Sequence, residues 1–372
     1  MLPERYLADQ IRHDLDRKMV FVSGPRQVGK TTLARSMLGS DASGYLNWDV
    51  NEDRRRVLRN ELPVSKRWVF DEIHKYRGWR NWLKGVWDGR RQGQQILVTG
   101  SARLDLYRRA GDSLQGRYHL LRLHPLSVAE LSLTGADSFR QLIELGGFPE
   151  PFLSGSADEA RRWSREYGSR LAREEVTTLE RVDDLGKLEL LVLRLPELVG
   201  SPLSVNALRE DLQVSHRTAE RWIQILERLY GIFLLSPLGA PRIRAIKKMR
   251  KHYHFDWTVV DEPGPRFENV VASHLLKWVH REQDVRGRDL ELRYFRDTDG
   301  REVDFVVVEK RAVRLMVECK LQSGTVDPNL RYLKGKFPSA DAWQVSRDGD
   351  KDIVTAEGIR IAPALRFLST LA

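Results

Sequence analysis

A glycine-rich segment near the amino end has the residue types and spacing of a phosphate-binding loop. Residues 24–31, GPRQVGKT, match the pattern G-x-x-x-x-G-K-[ST], with an apolar run, Met19–Ser23, before it and a helical stretch, Thr31–Leu38, after it. Glycines let backbone N–H groups close around phosphate oxygens, and the following helix N-terminus adds positive potential. The alternative, a chance glycine turn, does not account for these flanking elements. The predicted nucleotide contacts are Gly24, Pro25, Arg26, Gln27, Val28, Gly29, Lys30, Thr31 and Thr32.

Within this loop, two side chains have chemistry suited to ATP and Mg²⁺. We expect Lys30 to reach the β- and γ-phosphates, and the Thr31 hydroxyl to bind Mg²⁺.

An acidic pair follows the next buried-type strand. The run RWVFDEIH predicts a strand at Arg67–Phe70 with Asp71 and Glu72 at its carboxyl end, the edge where ligands bind in parallel α/β sheets. We expect Asp71 to bind Mg²⁺ and Glu72 to orient or deprotonate the attacking water. An acidic pair that only caps a helix is the alternative, and the phosphate loop disfavours it.

Two further side chains are candidates for contact with the γ-phosphate. The predicted strand Gln95–Thr99 leads to Ser101, which either senses the γ-phosphate or caps the helix that begins at Ala102. Arg117, in LQGRYHLL, is a candidate arginine finger that would neutralise charge in the transition state, or one solvated arginine among many.

A second set of charged residues lies near the carboxyl end, in REVDFVVVEKRAVRLMVECKL. Asp304 precedes Glu318 by 14 residues, and Glu318 and Lys320 face the same way on a strand because side chains alternate. If the two strands pair, Asp304 and Glu318 can hold Mg²⁺ for phosphodiester hydrolysis, with Lys320 steadying the hydroxide or the developing charge. The alternative is a polar hairpin face, which the buried-type flanking runs disfavour. Cys319 faces the other way and is predicted to be a core residue.

A basic run and a helix start are candidates for nucleic-acid contact. Residues 242–251, RIRAIKKMRK, hold six basic residues and no acid, which suits phosphate contacts. Ser215, His216 and Arg217 open a predicted helix at the position where recognition helices touch base edges. A solvated basic face and a helical module that binds protein are the alternatives.

The elements that would position these residues can be predicted from periodicity and capping. Alternating strands and helices in the first segment indicate a parallel sheet. Ser204 and Ser215 can each cap a helix, and Ile232–Leu235 and Lys251–Trp257 can pair as wing strands, which is the pattern of a winged helix-turn-helix. An amphipathic helix, Phe267–Val279, precedes three predicted strands, Leu290–Arg296, Arg301–Val308 and Ala312–Leu321.

Composition narrows the class of protein. The 372 residues suggest two or three domains, and 41% hydrophobic with 31% charged residues is typical of a globular chain. A net charge of +10 favours a polyanionic partner. A single cysteine excludes an intramolecular disulfide and a multi-cysteine zinc site. We find no apolar run long enough to span a membrane and no signal-peptide core, and so expect no membrane partner and a cytoplasmic location.

Taken in order, GPRQVGKTTLA, VFDEIH, VTGSA, LQGRYHLLRLHPLSVAEL and GGFPEP resemble the prokaryotic AAA-type ATPases that carry a C-terminal domain of unknown function. The resemblance runs over most of the chain. It implies an α/β protein with a P-loop AAA-type ATPase core, a winged helix-turn-helix and a C-terminal domain of restriction-endonuclease-like fold. The segments predicted are an ATPase core at 1–137, a helical lid or connector at 138–200, a winged helix at 201–260 and a restriction-endonuclease-like domain at 261–372.

The D…E-x-K pattern resembles that of the PD-(D/E)xK nucleases. Val303 stands where the nuclease motif has proline before Asp304. Glu268, in the preceding helix, matches the position at which such folds often place another acid.

These observations predict an Mg²⁺-dependent ATPase that binds nucleic acid, DNA first, and positions or licenses a C-terminal nuclease-like domain. The competing hypothesis is an ATP-driven signalling or partner-binding switch whose C-terminal domain is not catalytic. The sequence leaves open whether the chain forms a homo-oligomer, and whether the winged helix or the C-terminal domain binds a protein.

Overall fold

The chain divides into two units, each built around its own sheet, and the computed structural model describes residues 4–100, 114–175, 184–239 and 250–371. Unit 1 comprises Met1–Pro125 and Arg228–Tyr230, and unit 2 comprises Leu126–Glu227 and Gly231–Ala372.

Within its described residues, unit 1 holds a five-stranded parallel sheet with the order β2-β3-β4-β1-β5. All five residues of β1 and all six of β4 are buried, as expected for central strands that helices cover on both faces. The elements are α1 (Ala8–Leu15), β1 (Met19–Ser23), α2 (Lys30–Ser36), β2 (Tyr45–Asn47), α3 (Asn51–Leu58), β3 (Arg67–Asp71), α4 (Trp79–Asp88), β4 (Gln95–Gly100) and β5 (Tyr118–Arg122). The predicted parallel α/β sheet is confirmed.

Aromatic side chains fill the core of unit 1 on one face of the sheet. Phe21 stacks on Tyr118 with ring centroids 4.3 Å apart, and Phe70 meets Trp82 edge to face at 5.0 Å. Such pairs add to the free energy gained from apolar burial. They fix the sheet whose carboxyl edge bears the phosphate loop.

Unit 2 begins with helices and continues into a large mixed sheet. Its helices are α5 (Val128–Leu131), α6 (Ala136–Leu145), α7 (Pro149–Ser154), α8 (Ala157–Arg170), α9 (Leu185–Arg194), α10 (Val205–Asp211), α11 (His216–Arg228), α12 (Pro263–Arg286), α13 (Pro328–Lys336) and α14 (Ala364–Ser369). Arg228, the last residue of α11, falls in unit 1. The strands are β6 (Pro202–Leu203), β7 (Ile232–Pro237), β8 (Arg250–His254), β9 (Leu290–Arg296), β10 (Glu302–Glu309), β11 (Ala312–Gln322), β12 (Asp341–Asp348), β13 (Ile353–Val354) and β14 (Ile359–Pro363).

In the part of unit 2 that the structure describes, nine strands form one sheet in the order β13-β14-β12-β11-β10-β9-β7-β8-β6. Strands β9, β10 and β11 form an antiparallel meander, and β12 joins β11 in parallel. Strand β7 pairs with β9 in parallel through Ser236–Arg293 and Pro237–Tyr294. The strands on either side of residue 261 therefore share one hydrogen-bonded sheet.

The predicted capping around α10 and α11 is present. The Ser204 hydroxyl accepts from the Ala207 N–H, and the Ser215 hydroxyl accepts from the Thr218 N–H. Strands β7 and β8 pair antiparallel, as predicted for wing strands. These elements agree with the predicted order, and their assignment as a winged helix stays a prediction.

Helix α12 differs from the predicted amphipathic helix at Phe267–Val279. It extends over 24 residues, from Pro263 to Arg286, and is buried on every side from Asn269 to Lys277. Proline is favoured in a first helical turn, and Gly287 ends the helix in the left-handed conformation. The prediction missed the polar last turns because it followed apolar spacing. Among the described residues, no helix has both the length and the hydropathy needed to cross a bilayer.

Candidate functional site

The phosphate loop connects the end of β1 to the start of α2. Gly24 has φ 151°, and a Cβ at that position would lie 2.2 Å from the Leu123 carbonyl oxygen. Leu123 in turn donates its N–H to Ser23 at 2.8 Å. Gly29 caps α2 with φ 97°, a conformation that residues with a Cβ rarely adopt. Both ends of the loop therefore require glycine.

Lys30 lies at the first position of α2, and only 6% of its surface is exposed. Its ammonium group donates to the carbonyl oxygens of Gly24 at 2.9 Å and Pro25 at 2.5 Å. Burial lowers the pKa of Lys30 to about 8, and the nearby carboxylates of Glu72 and Asp71 oppose that shift. Anionic phosphate oxygens beside the ammonium would favour its charged form.

Asp71, at the end of β3, is the hub of a hydroxyl network. The Thr31 hydroxyl donates to its Oδ2 at 2.7 Å and the Tyr45 hydroxyl donates to the same atom at 2.6 Å. The Thr99 hydroxyl donates to Oδ1. Burial and Asp71 together raise the pKa of Tyr45 to about 12, so that phenol stays protonated. Residues predicted from separate motifs, Thr31 and Asp71, thus meet at the carboxyl edge of the sheet.

Glu72 follows β3 with φ 57°, a left-handed conformation that is uncommon for a residue with a side chain. Its Oε2 lies 3.3 Å from Nζ of Lys75 and 3.7 Å from Nε2 of His74. Burial lowers the pKa of His74, which therefore favours its neutral form. Lys75 also pairs with Asp49 at 2.6 Å. The carboxylate predicted to activate water is thus held by a lysine that it shares with a second acid.

Arg117 lies away from the phosphate loop of its own chain. Its carbonyl accepts from the N–H of Met19, the first residue of β1, whereas the loop follows the last residue. The five residues of β1 span about 13 Å at 3.3 Å per residue. The Arg117 guanidinium pairs with Asp88 at 3.0 Å. Arg117 therefore does not line the predicted nucleotide site of its own chain, and a role as arginine finger toward a second chain stays a prediction.

Two other predicted positions fall outside the described residues. One is Ser101, and the other is the part of the basic run from Arg242 to Met249.

Asp304 and Glu318 are neighbours, as the predicted hairpin requires. Strands β10 and β11 pair with Phe305 opposite Val317. The Asp304 N–H donates to Oε2 of Glu318 at 3.4 Å, and the Cys319 N–H donates to Oδ2 of Asp304 at 2.8 Å. The turn that joins the two strands contains Lys310 and Arg311, which both have positive φ, as a two-residue hairpin turn of type I′ demands.

Lys320 lies on the same face of β11 as Glu318. Its ammonium donates to Glu318 and to Asp327, each at 2.8 Å. Burial and the charge of Asp304 raise the pKa of Glu318 to about 8, and the hydrogen bond from Lys320 opposes that shift. Lys320 therefore faces the predicted carboxylates but is already paired with two acids.

Cys319 is half-buried and not part of the core, which corrects the sequence prediction. On that side of β11, Leu315 and Val317 are buried, and the strand becomes more exposed from Cys319 to its end. Burial and the charge of Asp304 raise the pKa of the Cys319 thiol, which disfavours the thiolate.

Lys251 was predicted to contact phosphate as part of the basic run, and this is wrong. Its side chain is 1% exposed and pairs with Glu302 at 2.5 Å and Glu268 at 3.3 Å, with Asp304 4.0 Å away. Burial disfavours the charged ammonium, but the attraction of these three carboxylates outweighs it and raises the pKa of Lys251. The last residue of the basic run is therefore the cation of an internal acidic cluster.

Glu268 reaches the same cluster from α12. Its Oε1 accepts from the Tyr253 hydroxyl at 2.6 Å. Burial and Asp304 raise the pKa of Glu268 to about 7, and Lys251 opposes this shift. We call Glu268, Glu302, Asp304, Glu318 and Asp327, with Lys251 and Lys320, the carboxylate cluster.

The two predicted metal sites differ in how well their residues fit Mg²⁺. The Thr31 hydroxyl and the Asp71 carboxylate supply the hard oxygen ligands that Mg²⁺ prefers. In the carboxylate cluster, two lysines hold the carboxylates, and among the described residues no group of three or more His, Cys, Asp or Glu side chains is arranged to hold a metal ion. In this arrangement Lys251 lies near Asp304 and Lys320 pairs with Glu318, and the role of the two carboxylates as metal ligands stays a prediction.

The fold and the loop define unit 1 as a P-loop α/β nucleotide-binding unit, and comparison with known families agrees. Residues 16–132 match the family model described as AAA domain. Residues 136–260 and 263–367 match two models, each described as a Domain of unknown function (DUF8612 and DUF4143). The chain thus carries an AAA-type ATPase domain, which confirms that part of the prediction.

The alignments with two similar proteins cover most of the chain. The chain is 26% identical over 368 residues to the uncharacterized protein Rv2008c of Mycobacterium tuberculosis and to Mb2031c of Mycobacterium bovis, covering 93% of this chain and 82% of each relative. A solved structure of the RuvB Holliday junction branch migration motor of Thermotoga maritima is 17% identical, covers 62% of this chain and 92% of its own, and has a TM-score of 0.31. A Signal Transduction ATPase with Numerous Domains protein of Pyrococcus horikoshii is 13% identical, covers 75% and 47%, and has a TM-score of 0.23. Structural similarity at these TM-scores supports no statement about this chain.

Sequence reasoning missed Tyr45, Lys75 and Lys251. No motif marks Tyr45, whose only signal is its place on a short strand beside β3. Lys251 was grouped with its basic neighbours in sequence, although β8 is buried from Lys251 to His254.

Proposed function

We propose that this protein is an Mg²⁺-dependent ATPase that binds nucleic acid and uses its hydrolysis cycle to control a nuclease-like C-terminal domain. The observation that carries the ATPase half is the Thr31–Asp71 hydrogen bond at the carboxyl edge of a parallel sheet, beside a buried lysine. The observation that carries the nuclease-like half is the direct contact between Asp304 and Glu318 on paired strands.

In the ATPase unit, each residue has a distinct role. Lys30 would exchange its loop carbonyl acceptors for phosphate oxygens and hold their charge. Thr31 and Asp71 would hold Mg²⁺, which when bound supplies charge neutralisation to the phosphates. Glu72 would accept a proton from the attacking water once its carboxylate is released from Lys75.

The order of elements supports the nuclease-like half. Helix α12 is followed by the β9-β10-β11 meander, helix α13 and the parallel strand β12. This is the arrangement expected for the restriction-endonuclease-like fold that the sequence resemblance implies. Asp304 is the third residue of β10, the second strand of the meander, and Glu318 and Lys320 lie on the third strand, β11.

A second candidate function is favoured by the same cluster. Lys251 and Lys320 neutralise the carboxylates without a metal, as in a domain that keeps the fold but performs no hydrolysis. In that case ATP hydrolysis would drive binding of a partner and not cleavage.

One experiment separates the two. Full-length protein is incubated with ATP, Mg²⁺ and DNA, and phosphate release and strand cleavage are recorded in the same samples. The proposal expects Asp304→Asn to lose cleavage and keep ATP hydrolysis, and Lys30→Ala to lose both. If wild-type protein hydrolyses ATP but cuts no duplex, single-stranded or branched DNA or RNA, the partner-binding candidate is correct.

DNA binding is tested separately by affinity for plasmid DNA across salt concentrations. Phosphate contacts would make the logarithm of the affinity fall with the logarithm of salt concentration, by about one unit of slope per contact. An affinity that does not change with salt would remove nucleic acid from the proposal.

A further inference from the structure

Lys251 projects from β8 into the carboxylate cluster and fills its centre. Its ammonium group lies 2.5 Å from Oε1 of Glu302, 3.3 Å from Oε1 of Glu268 and 4.0 Å from Oδ1 of Asp304. The residue as a whole is fully buried. The Lys251 ammonium thus lies close to one acid of helix α12, Glu268, and to two acids of strand β10, Glu302 and Asp304.

The sheet fixes the position of this lysine. Lys251 pairs with Leu235 of β7 on one side and with Pro202 of β6 on the other. Tyr253, two residues further along β8, points the same way and donates its hydroxyl to Glu268. The ring of Tyr294 lies 5.4 Å from the ammonium. The backbone of Lys251 is paired on both sides and its ammonium group is surrounded by acids, so the side chain has little freedom to leave the cluster without movement of β8.

A divalent cation at this place would need the same oxygen atoms. Carboxylate oxygens are among the ligands that Mg²⁺ and Mn²⁺ prefer, and Mg²⁺ binds them at about 2 Å while water completes its coordination. Here the nearest oxygens already accept from an ammonium group, and a lysine Nζ and a metal ion cannot occupy one position.

We propose that Lys251 is the resident cation of the carboxylate cluster and competes with a divalent metal ion for Glu268, Glu302 and Asp304. The inference rests on the proposed function in one respect, that a nuclease-like domain would need a metal at these residues. It adds how the site is regulated: the cluster takes up a metal only when the Lys251 ammonium is withdrawn.

The test measures Mn²⁺ binding by calorimetry on full-length protein without nucleotide, in an Asp71→Asn background that removes the predicted metal ligand of unit 1. Protein with Lys251 intact is expected to show no saturable Mn²⁺ binding that depends on Asp304. Lys251→Met is expected to gain saturable Mn²⁺ binding that depends on Asp304, and to recover thermal stability when Mn²⁺ is added, because a ligand that binds only the folded state stabilises it. Adding Asp304→Asn should abolish both effects.

Lys277→Met is the matched control, because Lys277 is also a buried lysine of unit 2 and pairs with Glu130. It should lose stability without gaining Mn²⁺ binding or recovering with Mn²⁺. If Lys251→Met does not fold, the double variant Lys251→Met with Glu302→Gln replaces both members of the closest pair and keeps the net charge. It should still bind Mn²⁺ more tightly than the parent.

Two results would overturn the inference. One is Asp304-dependent Mn²⁺ binding when Lys251 is present, and the other is no gain of binding in either Lys251 variant. This test measures metal binding and not strand cleavage. If the protein never cuts nucleic acid, the nuclease-like proposal fails, but the Mn²⁺-binding result still decides the role of Lys251.

Discussion

At the scale of single residues, Glu72 combines an uncommon backbone conformation with a carboxylate held by Lys75. We predict that Glu72→Gln lowers the ATP hydrolysis rate by about 10²–10⁴-fold, the typical contribution of a general base, because an amide cannot take a proton from water. ATP affinity should stay close to that of the wild type, since Lys30 and the loop are unchanged. The measurements are single-turnover hydrolysis and equilibrium binding of a fluorescent ATP analogue.

Glu61→Gln is the control for loss of a negative charge in unit 1, because Glu61 is exposed. It should hydrolyse ATP at the wild-type rate. A Glu72→Gln variant that does the same would mean that another group activates the water.

His274 on α12 gives the stability of unit 2 a dependence on pH. Its Nδ1 donates to the Val270 carbonyl at 2.7 Å, and its Nε2 accepts from the Val128 N–H at 3.1 Å, which requires the neutral ring. Burial lowers the pKa of His274 to about 4 from its ordinary 6.5. Between these values the unfolded chain binds a proton that the folded chain does not. Stability is therefore lost as pH falls from about 6.5 to about 4.

We predict that His274→Gln removes this contribution. The stability difference between wild type and variant should shrink as pH falls through that range, by on the order of 3 kcal/mol, since each pKa unit corresponds to about 1.4 kcal/mol. Urea unfolding at pH 7, 5.5 and 4 measures it, with the exposed His216→Gln as control. A difference that stays constant with pH would contradict the prediction.

At the scale of elements, two glycines in unit 2 should respond to alanine in opposite directions. Gly168 lies inside α8 and Gly287 follows α12 with φ 65°, and neither has another atom within 4 Å of the place where a Cβ would lie. Steric fit is therefore equal and only the backbone differs. Gly168→Ala should raise the free energy of unfolding by about 0.5–1 kcal/mol, and Gly287→Ala should lower it by about 1 kcal/mol. Equal effects of the two substitutions in thermal unfolding would refute this explanation.

Much of the element pattern could be predicted from sequence. Strands Met19–Ser23 and Leu290–Arg296 were predicted with the observed bounds, since short apolar or alternating runs bounded by turn residues determine them locally. Helix α12 was predicted too short because its last turns are polar and are set by the Gly287 cap and by packing. Local patterns thus predicted where elements lie better than how they end.

The phosphate loop and the carboxylate cluster also differ in how much of each could be predicted from local sequence patterns. The phosphate loop is contiguous in sequence, so its residues could be predicted from one motif, and Asp71 followed from strand order. The carboxylate cluster takes Lys251 from β8, which precedes the predicted boundary at residue 261, and pairing between distant strands cannot be derived from one sequence without further information. Arg117 was chosen for its residue type, and only the sheet shows that it lies at the other edge from the loop.

At the scale of the whole molecule, the shared sheet bears on where the chain can be divided. A fragment of residues 261–372 would lose β7, which pairs with β9, and Lys251, which neutralises Glu268 and Glu302. We predict that this fragment is less stable and more prone to associate than a fragment of residues 201–372, because it exposes a strand edge and leaves buried acids without their cation.

Size-exclusion chromatography and amide hydrogen exchange on the two fragments measure this. Exchange in β9 and β10 should be markedly faster in the shorter fragment, whereas α14, which packs against β12 and β14 in both fragments, serves as the internal reference. A monomeric 261–372 fragment with unchanged protection in β9 would support the predicted boundary at residue 261.

The order of the nine described strands also sets how the protein behaves when it is concentrated. The outermost strands, Pro202–Leu203 at one edge and Ile353–Val354 at the other, are two residues long. The second is preceded by Asp350, Lys351 and Asp352, which place charge beside its exposed side chains. Each outermost described strand therefore offers only two residues with which a strand of another molecule could pair. The nine-stranded sheet that the described residues form is for this reason a poor template for fibre growth.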